Sequence, residues 1–176
     1  ASGCEVVGLD FTADYIDFGA TRHALDLRVG TIADLGDDER FDLVIYCHVL
    51  EHLPDPIADL RAISRLLTPG GCLYIEVPGV KHLMSSYRQD FLRMLQNAHT
   101  YTFSLTTLTN VLGLAGLTVL KGDETARVVA RPRTDAEPPA VVQNDYEAVR
   151  EYLASVEQQR RRCALSYVAG DVTRAV

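Results

Sequence analysis

Short apolar runs alternate along this chain with segments whose apolar residues return at helical spacing, a pattern that predicts βαβ units and a parallel sheet covered on both faces. Glu5 to Leu9 (EVVGL) predicts a buried strand ending at Asp10, and Thr12 caps a helix running through Tyr15, Ile16 and Phe18 toward His23. A second strand is expected at Leu25 to Val29, ended by Gly30, and a third at Phe41 to Cys47 (FDLVIYC). Pro54-Asp55-Pro56 then leads into Ile57, Leu60, Ile63 and Leu67, one apolar face of a helix with proline in its first turn. That helix stops at Thr68-Pro69-Gly70-Gly71, and Cys72 to Val77 (CLYIEV) follows as a fourth strand closed by Pro78-Gly79.

Lys81 to Ala98 is helical in composition and mixes Met84, Tyr87, Phe91, Leu92 and Met94 with charges, which suits an amphipathic lid or insertion as well as a core helix. Ser104 opens a capped helix with Leu105, Leu108, Val111 and Leu112 on one side, ending at Gly116. Leu117 to Lys121 and Arg127 to Ala130 are expected to pair as a hairpin, because Gly122-Asp123-Glu124 is too short for a crossover. The Pro- and charge-rich stretch after Arg131 reads as a linker over 132–142, leaving 1–131 as the main domain and 143–176 as a helical extension. In that extension Tyr146, Val149, Leu153 and Val156 form a narrow apolar stripe on a charged helix ending in Arg160-Arg161-Arg162, which predicts docking on the domain surface, with a partner-binding helix as the alternative.

Composition narrows the functional classes. A net charge of −7 over 176 residues, with no basic stripe, argues against a partner recognised through its phosphate backbone, so nucleic acid is not expected. No apolar stretch approaches the roughly 20 residues that cross a bilayer, so no membrane association is expected. Cys4, Cys47, Cys72 and Cys163 lie far apart with no C-x-x-C pair, which fits reduced thiols in the cytoplasm better than a disulfide frame or a structural zinc site.

In an open parallel sheet, ligands sit outside the carboxyl ends of the strands, which directs attention to Asp10 and Phe11, Gly30 to Asp34, Cys47 to His52, and Pro78 to Lys81. An acid ending a strand is placed to accept hydrogen bonds from ribose hydroxyls, and Asp10 stands there; an Asp in that place is as often a turn or helix-cap residue. His48, Glu51 and His52 also spell H-x-x-E-H, a zinc-protease pattern that needs both histidines on one helix face. Here the pattern follows a buried strand and reaches Pro54 at once, so no helix is expected to support it.

Phe41-Asp-Leu-Val-Ile-Tyr-Cys-His-Val-Leu-Glu51-His52-Leu-Pro-Asp-Pro56, followed by Leu67-Thr-Pro-Gly-Gly-Cys-Leu-Tyr-Ile-Glu-Val-Pro78, closely resembles the second half of the class I S-adenosylmethionine-dependent methyltransferases. EVVGLD resembles that family's second strand with its ribose-binding acid, and VGTIADL the segment that packs on adenine. Asn97-Ala-His-Thr-Tyr-Thr-Phe-Ser, before the Ser104 helix, is similar to a subgroup that often modifies sugars, lipids or other small metabolites.

The resemblance implies an α/β fold with a doubly wound, mostly parallel, Rossmann-like sheet and a C-terminal antiparallel hairpin. The family's first strand and glycine-rich loop are missing from this chain, which begins where the helix after that loop should end. It implies S-adenosylmethionine as cofactor, bound by Asp10, Phe11, Thr31, Ile32, Cys47 and His48, with Thr31 or Asp34 standing in for an adenine-facing acid and the Ile32 amide facing the base. The acceptor would be a small molecule methylated on oxygen, with His52 or His99 taking its proton and Glu51 beside them. Tyr101 and Phe103 line the acceptor pocket or belong to the core.

Some methyltransferases with a similar Glu-His pair bind a divalent ion completed by a residue such as His99, although no metal is expected, because one carboxylate and scattered imidazoles lack a fixed ligand spacing. Two other functions stay in view: a silent binding subunit that keeps the fold, and a nicotinamide-dependent oxidoreductase. Oligomeric state is open, a homo-oligomer included.

Overall fold

The computed structural model describes residues 3–23, 25–95 and 98–168, in two units, Ala1–Arg40 and Phe41–Val176. In the first unit, β1 (Val7–Asp10) and β2 (Asp26–Val29) pair in parallel, with Asp10 opposite Val29, and α1 (Ala13–His23) connects them. The first strand starts two residues later than the apolar run suggested and keeps Asp10 inside its last pair. Gly30 follows β2 at φ 146°, and a Cβ there would stand 2.8 Å from the Asp34 carboxylate, so the sharp exit from β2 needs glycine.

In the second unit, β3 (Phe41–Cys47), β4 (Leu67–Glu76), β5 (Leu117–Gly122) and β6 (Arg127–Pro132) form a sheet in the order β3-β4-β6-β5. β3 and β4 run parallel, whereas β6 is antiparallel to both of its neighbours, so the expected hairpin is present with its second strand against β4. β4 begins earlier than expected because its ladder with β3 is interrupted. Phe41 faces Leu67 and Leu43 faces Cys72, so Thr68 to Gly71 bulge out between these pairs, with Gly70 at φ 98°.

Two helices cover one face of this sheet. α2 (Pro56–Leu66) is capped by the Asp55 carboxylate, which accepts from the Ala58 amide, and it buries Leu60, Ile63 and Leu66. α4 (Leu105–Leu114) starts at Ser104 in a reciprocal capping box with Thr107 and buries Leu108 and Leu112. α2 packs against α4 and β4, and α4 against β5, while Leu73, Ile75 and Val77 of the β4 region and Val128 and Ala130 of β6 are buried. Each such fully buried large aliphatic side chain contributes about 1.5–3 kcal/mol relative to exposure.

Within the stretch from Lys81 to Ala98, the described residues up to Leu95 depart from the helical reading. The chain makes two 3-10 turns, Val80–Ser85 and Tyr87–Gln89, then the single-turn helix α3 (Phe91–Met94). Tyr87, Arg88 and Gln89 have φ of 50°, 52° and 58°, a left-handed run that no right-handed helix can contain. The apolar residues that looked helical are used from broken turns: Val80, Leu83 and Met94 are buried, and Met84, Tyr87 and Phe91 pack around them.

α5 (Tyr146–Val168) completes this cluster with Val156, buried, and with Val149, Tyr152 and Leu153. Tyr146, expected on the same stripe, is 65% exposed, so the docking face begins one turn later. Ahead of α5, the stretch 132–142 has no helix or strand beyond Pro132 but is pinned to its neighbours. Arg133 N–H donates to the Gly116 carbonyl, and Glu137 takes Thr118 Oγ1–H at 2.6 Å and pairs with Arg131 at 2.7 Å. The end of the expected extension, 169–176, lies outside the described residues, as does Asn97.

Candidate functional site

The strand ends carry the candidate residues. In the first unit, Asp10 closes β1 and its Oδ1 accepts from the Thr12 amide at 2.7 Å, a side-chain turn that launches α1. Phe11, just beyond, is 74% exposed. Thr31 and Asp34 are engaged with each other: the Thr31 amide and hydroxyl both donate to Asp34 Oδ2, at 2.7 and 3.0 Å, and Thr31 Oγ1 accepts from Ala33. The Thr31 amide and hydroxyl hold the Asp34 carboxyl below the usual carboxylate range. Turning Asp34 toward an adenine would therefore break a formed capping box, and Ile32 is buried rather than displayed.

In the second unit, Cys47 is exposed at the end of β3, opposite Glu76. His48 follows at φ 55°, a left-handed conformation in a non-glycine residue, with its amide bonded to the Glu76 carbonyl at 2.8 Å. Its ring does not stand free on the strand end; Nδ1 lies 3.3 Å from Glu51 Oε1. Glu51 and His52 belong to the 3-10 turn Leu50–His52, with His48 outside it, so the helix that a zinc-protease motif requires is not formed.

Glu51 is the buried centre of this group, 1% exposed, and its Oε2 is buried without a hydrogen-bond partner. Oε1 lies 3.8 Å from His52 Nε2. His52 Nδ1 sits 2.8 Å from the Ala98 carbonyl oxygen; a carbonyl only accepts, so Nδ1 carries the proton and Nε2 of the neutral ring has its lone pair available. The His99 ring meets His52 edge to face at 4.9 Å. Glu51, His52 and His99 bring ligand-type atoms within 4.8 Å of one another.

Backbone groups fasten the two segments that carry these side chains. The Glu51 carbonyl accepts from the Thr100 and Tyr101 amides at 2.8 and 3.2 Å, and Tyr101 Oη–H donates to the Pro54 carbonyl at 3.1 Å. The next link is a bridge between Gly79 and Phe103, with the Val80 amide donating to the Phe103 carbonyl. A Cβ on Gly79 would come within 2.5 Å of the Glu124 carbonyl oxygen, so this close approach of strand end and hairpin turn requires glycine.

Sequence reasoning missed the backbone clasp, which has no side-chain signature, and it also missed Glu76. That residue ends β4 with its carboxylate bound by Tyr74 Oη–H at 2.8 Å and by Arg127 at 3.3 Å; the Tyr74 hydroxyl is the larger cause of its lowered pKa. The signal available was Tyr74 two residues earlier, on the same face of the strand. No described helix is long and apolar enough to cross a membrane, and Cys4, Cys47 and Cys72 carry no disulfide.

A family model described as a methyltransferase domain matches residues 1–121. A ubiquinone biosynthesis O-methyltransferase of Xanthomonas campestris pv. campestris (strain B100) is 36% identical over 81 residues, covering 42% of this chain and 34% of that protein. The chain thus spans about a third of the length of that curated relative. Among solved structures, the CcbJ methyltransferase from Streptomyces caelestis matches with a TM-score of 0.59 and 17% identity, over 75% of this chain and 76% of that one. Human N-acetylserotonin methyltransferase, solved in complex with SAM, matches at 0.58 and 19% identity over 75% and 41%. These structural likenesses establish the class I methyltransferase fold expected from the motifs.

Proposed function

The chain belongs to the methyltransferase domain family, and from that premise we propose that it takes part in transferring a methyl group from S-adenosylmethionine to an oxygen of a small-molecule acceptor. The family match across residues 1–121 carries this reading, and the O-methyltransferase relative supports oxygen as the accepting atom. The cofactor's sulfonium supplies an activated methyl group, so the protein's tasks are binding, alignment and proton removal.

In this reading Asp10 accepts from a ribose hydroxyl. An ionised carboxylate has room for several donors, so the Thr12 amide does not exhaust it. Phe11 lends an exposed ring beside it, while Thr31, Ile32, Cys47 and His48 remain cofactor-side assignments. His52 is the base: Ala98 holds its Nδ1–H, Nε2 takes the acceptor's proton, and the Glu51 carboxylate 3.8 Å away offsets the charge that appears on the ring. His99, against the His52 ring, completes the acceptor side. The proposed organisation keeps 1–131 as the methyltransferase region, 132–142 as its connection and 143–176 as a helical extension, in a cytoplasmic protein.

Calorimetric titration with S-adenosylhomocysteine and with NAD, followed by radiolabelled methyl transfer to a panel of phenols and sugars, tests the reading. Product on an acceptor oxygen supports it. S-adenosylhomocysteine binding without turnover on any acceptor favours the silent binding subunit, and NAD binding alone favours the oxidoreductase.

A second reading adds a divalent cation to the same chemistry. The observation that favours it is the buried, unpartnered Oε2 of Glu51 beside His52 and His99. A carboxylate with two imidazoles suits a transition-metal ion, and a histidine Nδ1–H held by a backbone carbonyl is the usual support for an Nε2 ligand. Titration with Mn2+ and Zn2+, with chelator-treated protein as control, separates it from the metal-free base.

A further inference from the structure

We propose that α5 is a strap that sets the Glu51–His52–His99 cluster through the turns Val80 to Met94 and the bond of Val80 to Phe103, and that Tyr152 is its positioning residue. The inference rests on the reading of that cluster as the acceptor-activating group.

The segment from Val80 to Met94 is a series of short turns with a strained stretch at its centre. Its turns are closed by hydrogen bonds such as Ser86 to Leu83, Gln89 to Ser86 and Asp90 to Tyr87, but Tyr87, Arg88 and Gln89 are all left-handed, a conformation that L-residues with a side chain adopt only at a cost. Such a conformation persists only where its surroundings over-determine it. α5 supplies those surroundings: Val156 is buried with Val80, Leu83 and Met94, and Val149, Tyr152 and Leu153 of the helix pack against the same cluster as Met84, Tyr87 and Phe91.

Directional contacts complete the attachment. The Met84 amide donates to the Tyr152 hydroxyl oxygen at 2.8 Å, while the Met84 carbonyl accepts from Gln89 Nε2 in the left-handed turn. Arg160 pairs with Asp90 at 3.1 Å, and the same Asp90 caps α3 through the Leu92 amide. Ahead of the helix, Asp145 reaches Lys81 at 3.7 Å.

From this anchored segment, physical links lead to the cluster. Val80 is bonded to Phe103, and the residues before Phe103 hold both members of the Glu51-His52 pair: Thr100 and Tyr101 through the Glu51 carbonyl, and Ala98 through His52 Nδ1. Tyr152 touches neither Glu51 nor a histidine among its hydrogen bonds; it acts through Met84 and the turns.

The test uses the full chain as Tyr152→Phe, which keeps the ring and removes the hydroxyl, and as Val156→Ala. Amide hydrogen exchange is measured by segment, and the His52 tautomer is read from its ring nitrogen chemical shifts. Tyr152→Phe is expected to speed exchange about three- to tenfold at Met84 and also at Thr100 and Tyr101, from the loss of one hydrogen bond, with α4 unchanged. The Nδ1–H tautomer of His52 should lose population in step. If exchange rises at Met84 while Thr100, Tyr101 and the His52 tautomer stay as in the parent protein, the helix is only a cover and the proposal is overturned. Should Val156→Ala unfold the chain, Tyr152→Phe alone decides. None of these readouts needs catalysis, so a failure to bind S-adenosylhomocysteine would remove the methyltransferase reading and leave the exchange test of the strap intact.

Discussion

His52 donates its Nδ1 proton to the carbonyl oxygen of Ala98, 46 residues further along the chain, at 2.8 Å. That one bond selects the tautomer whose Nε2 can take a proton. His52→Ala is therefore expected to lower methyl transfer about 100-fold or more, the usual size of a general-base contribution, with S-adenosylhomocysteine affinity unchanged within a factor of about three. A parallel loss of cofactor affinity, measured by calorimetry, would assign His52 to binding instead.

Asp10 has two roles that substitution can separate. Asp10→Asn keeps an oxygen for the Thr12 amide and loses the charge, whereas Asp10→Ala loses both. Both variants should weaken S-adenosylhomocysteine binding at least about tenfold, the scale of a charged hydrogen bond, and only Asp10→Ala should lower the melting temperature appreciably. Unchanged affinity in both would sink the ribose assignment.

The start of α4 rests on Ser104, whose hydroxyl accepts from the Thr107 amide at 3.1 Å while Thr107 Oγ1 accepts from the Ser104 amide at 2.8 Å. Ser104→Ala should cost about 1 kcal/mol in denaturant unfolding. Because Ser104 is buried and follows Phe103 directly, the same variant should speed amide exchange at Val80.

Acid stability has two opposing sources. Thr118 first, then Arg131 and Thr134, holds the Glu137 carboxyl at about 2. Its stabilisation is complete above the ordinary glutamate range and is lost as pH falls toward that value. Burial instead raises Asp59, beside Tyr46, so Asp59 favours the folded state as pH falls through the window just above the normal aspartate value. Glu137→Gln should reduce the loss of melting temperature between about pH 4.5 and 2, and Asp59→Asn should raise stability at neutral pH relative to acid. An unchanged acid slope in Glu137→Gln would show that its contacts do not persist in solution.

Elements whose residues decide locally are legible in the sequence. β3 matches its apolar run from Phe41 to Cys47, α2 begins where Asp55 and Pro56 place it, and α4 starts at its Ser104 cap. The misreading of 81–98 has a physical cause. Its apolar residues are spaced for a helix, but they are satisfied by α5, more than 50 residues away, and that packing outweighs local preference. At the site, the side chains at the strand ends could be nominated from the rule for parallel sheets, whereas the links that orient them are carbonyls and amides of Glu51, Ala98, Thr100 and Tyr101. Every residue carries those groups, so no residue type announces them.

Gly79 gives the close approach of the hairpin turn a meaning for sequence drift. Backbone atoms of Glu124 and Thr125 occupy the space that any side chain at position 79 would need, and backbone cannot rotate aside as a side-chain end can. In a saturation library selected for folded protein, position 79 should therefore tolerate alanine hardly better than leucine. Its neighbour Val80 is buried with Leu83, Met94 and Val156 and should accept apolar residues of about its own volume, so two adjacent codons would show different kinds of tolerance.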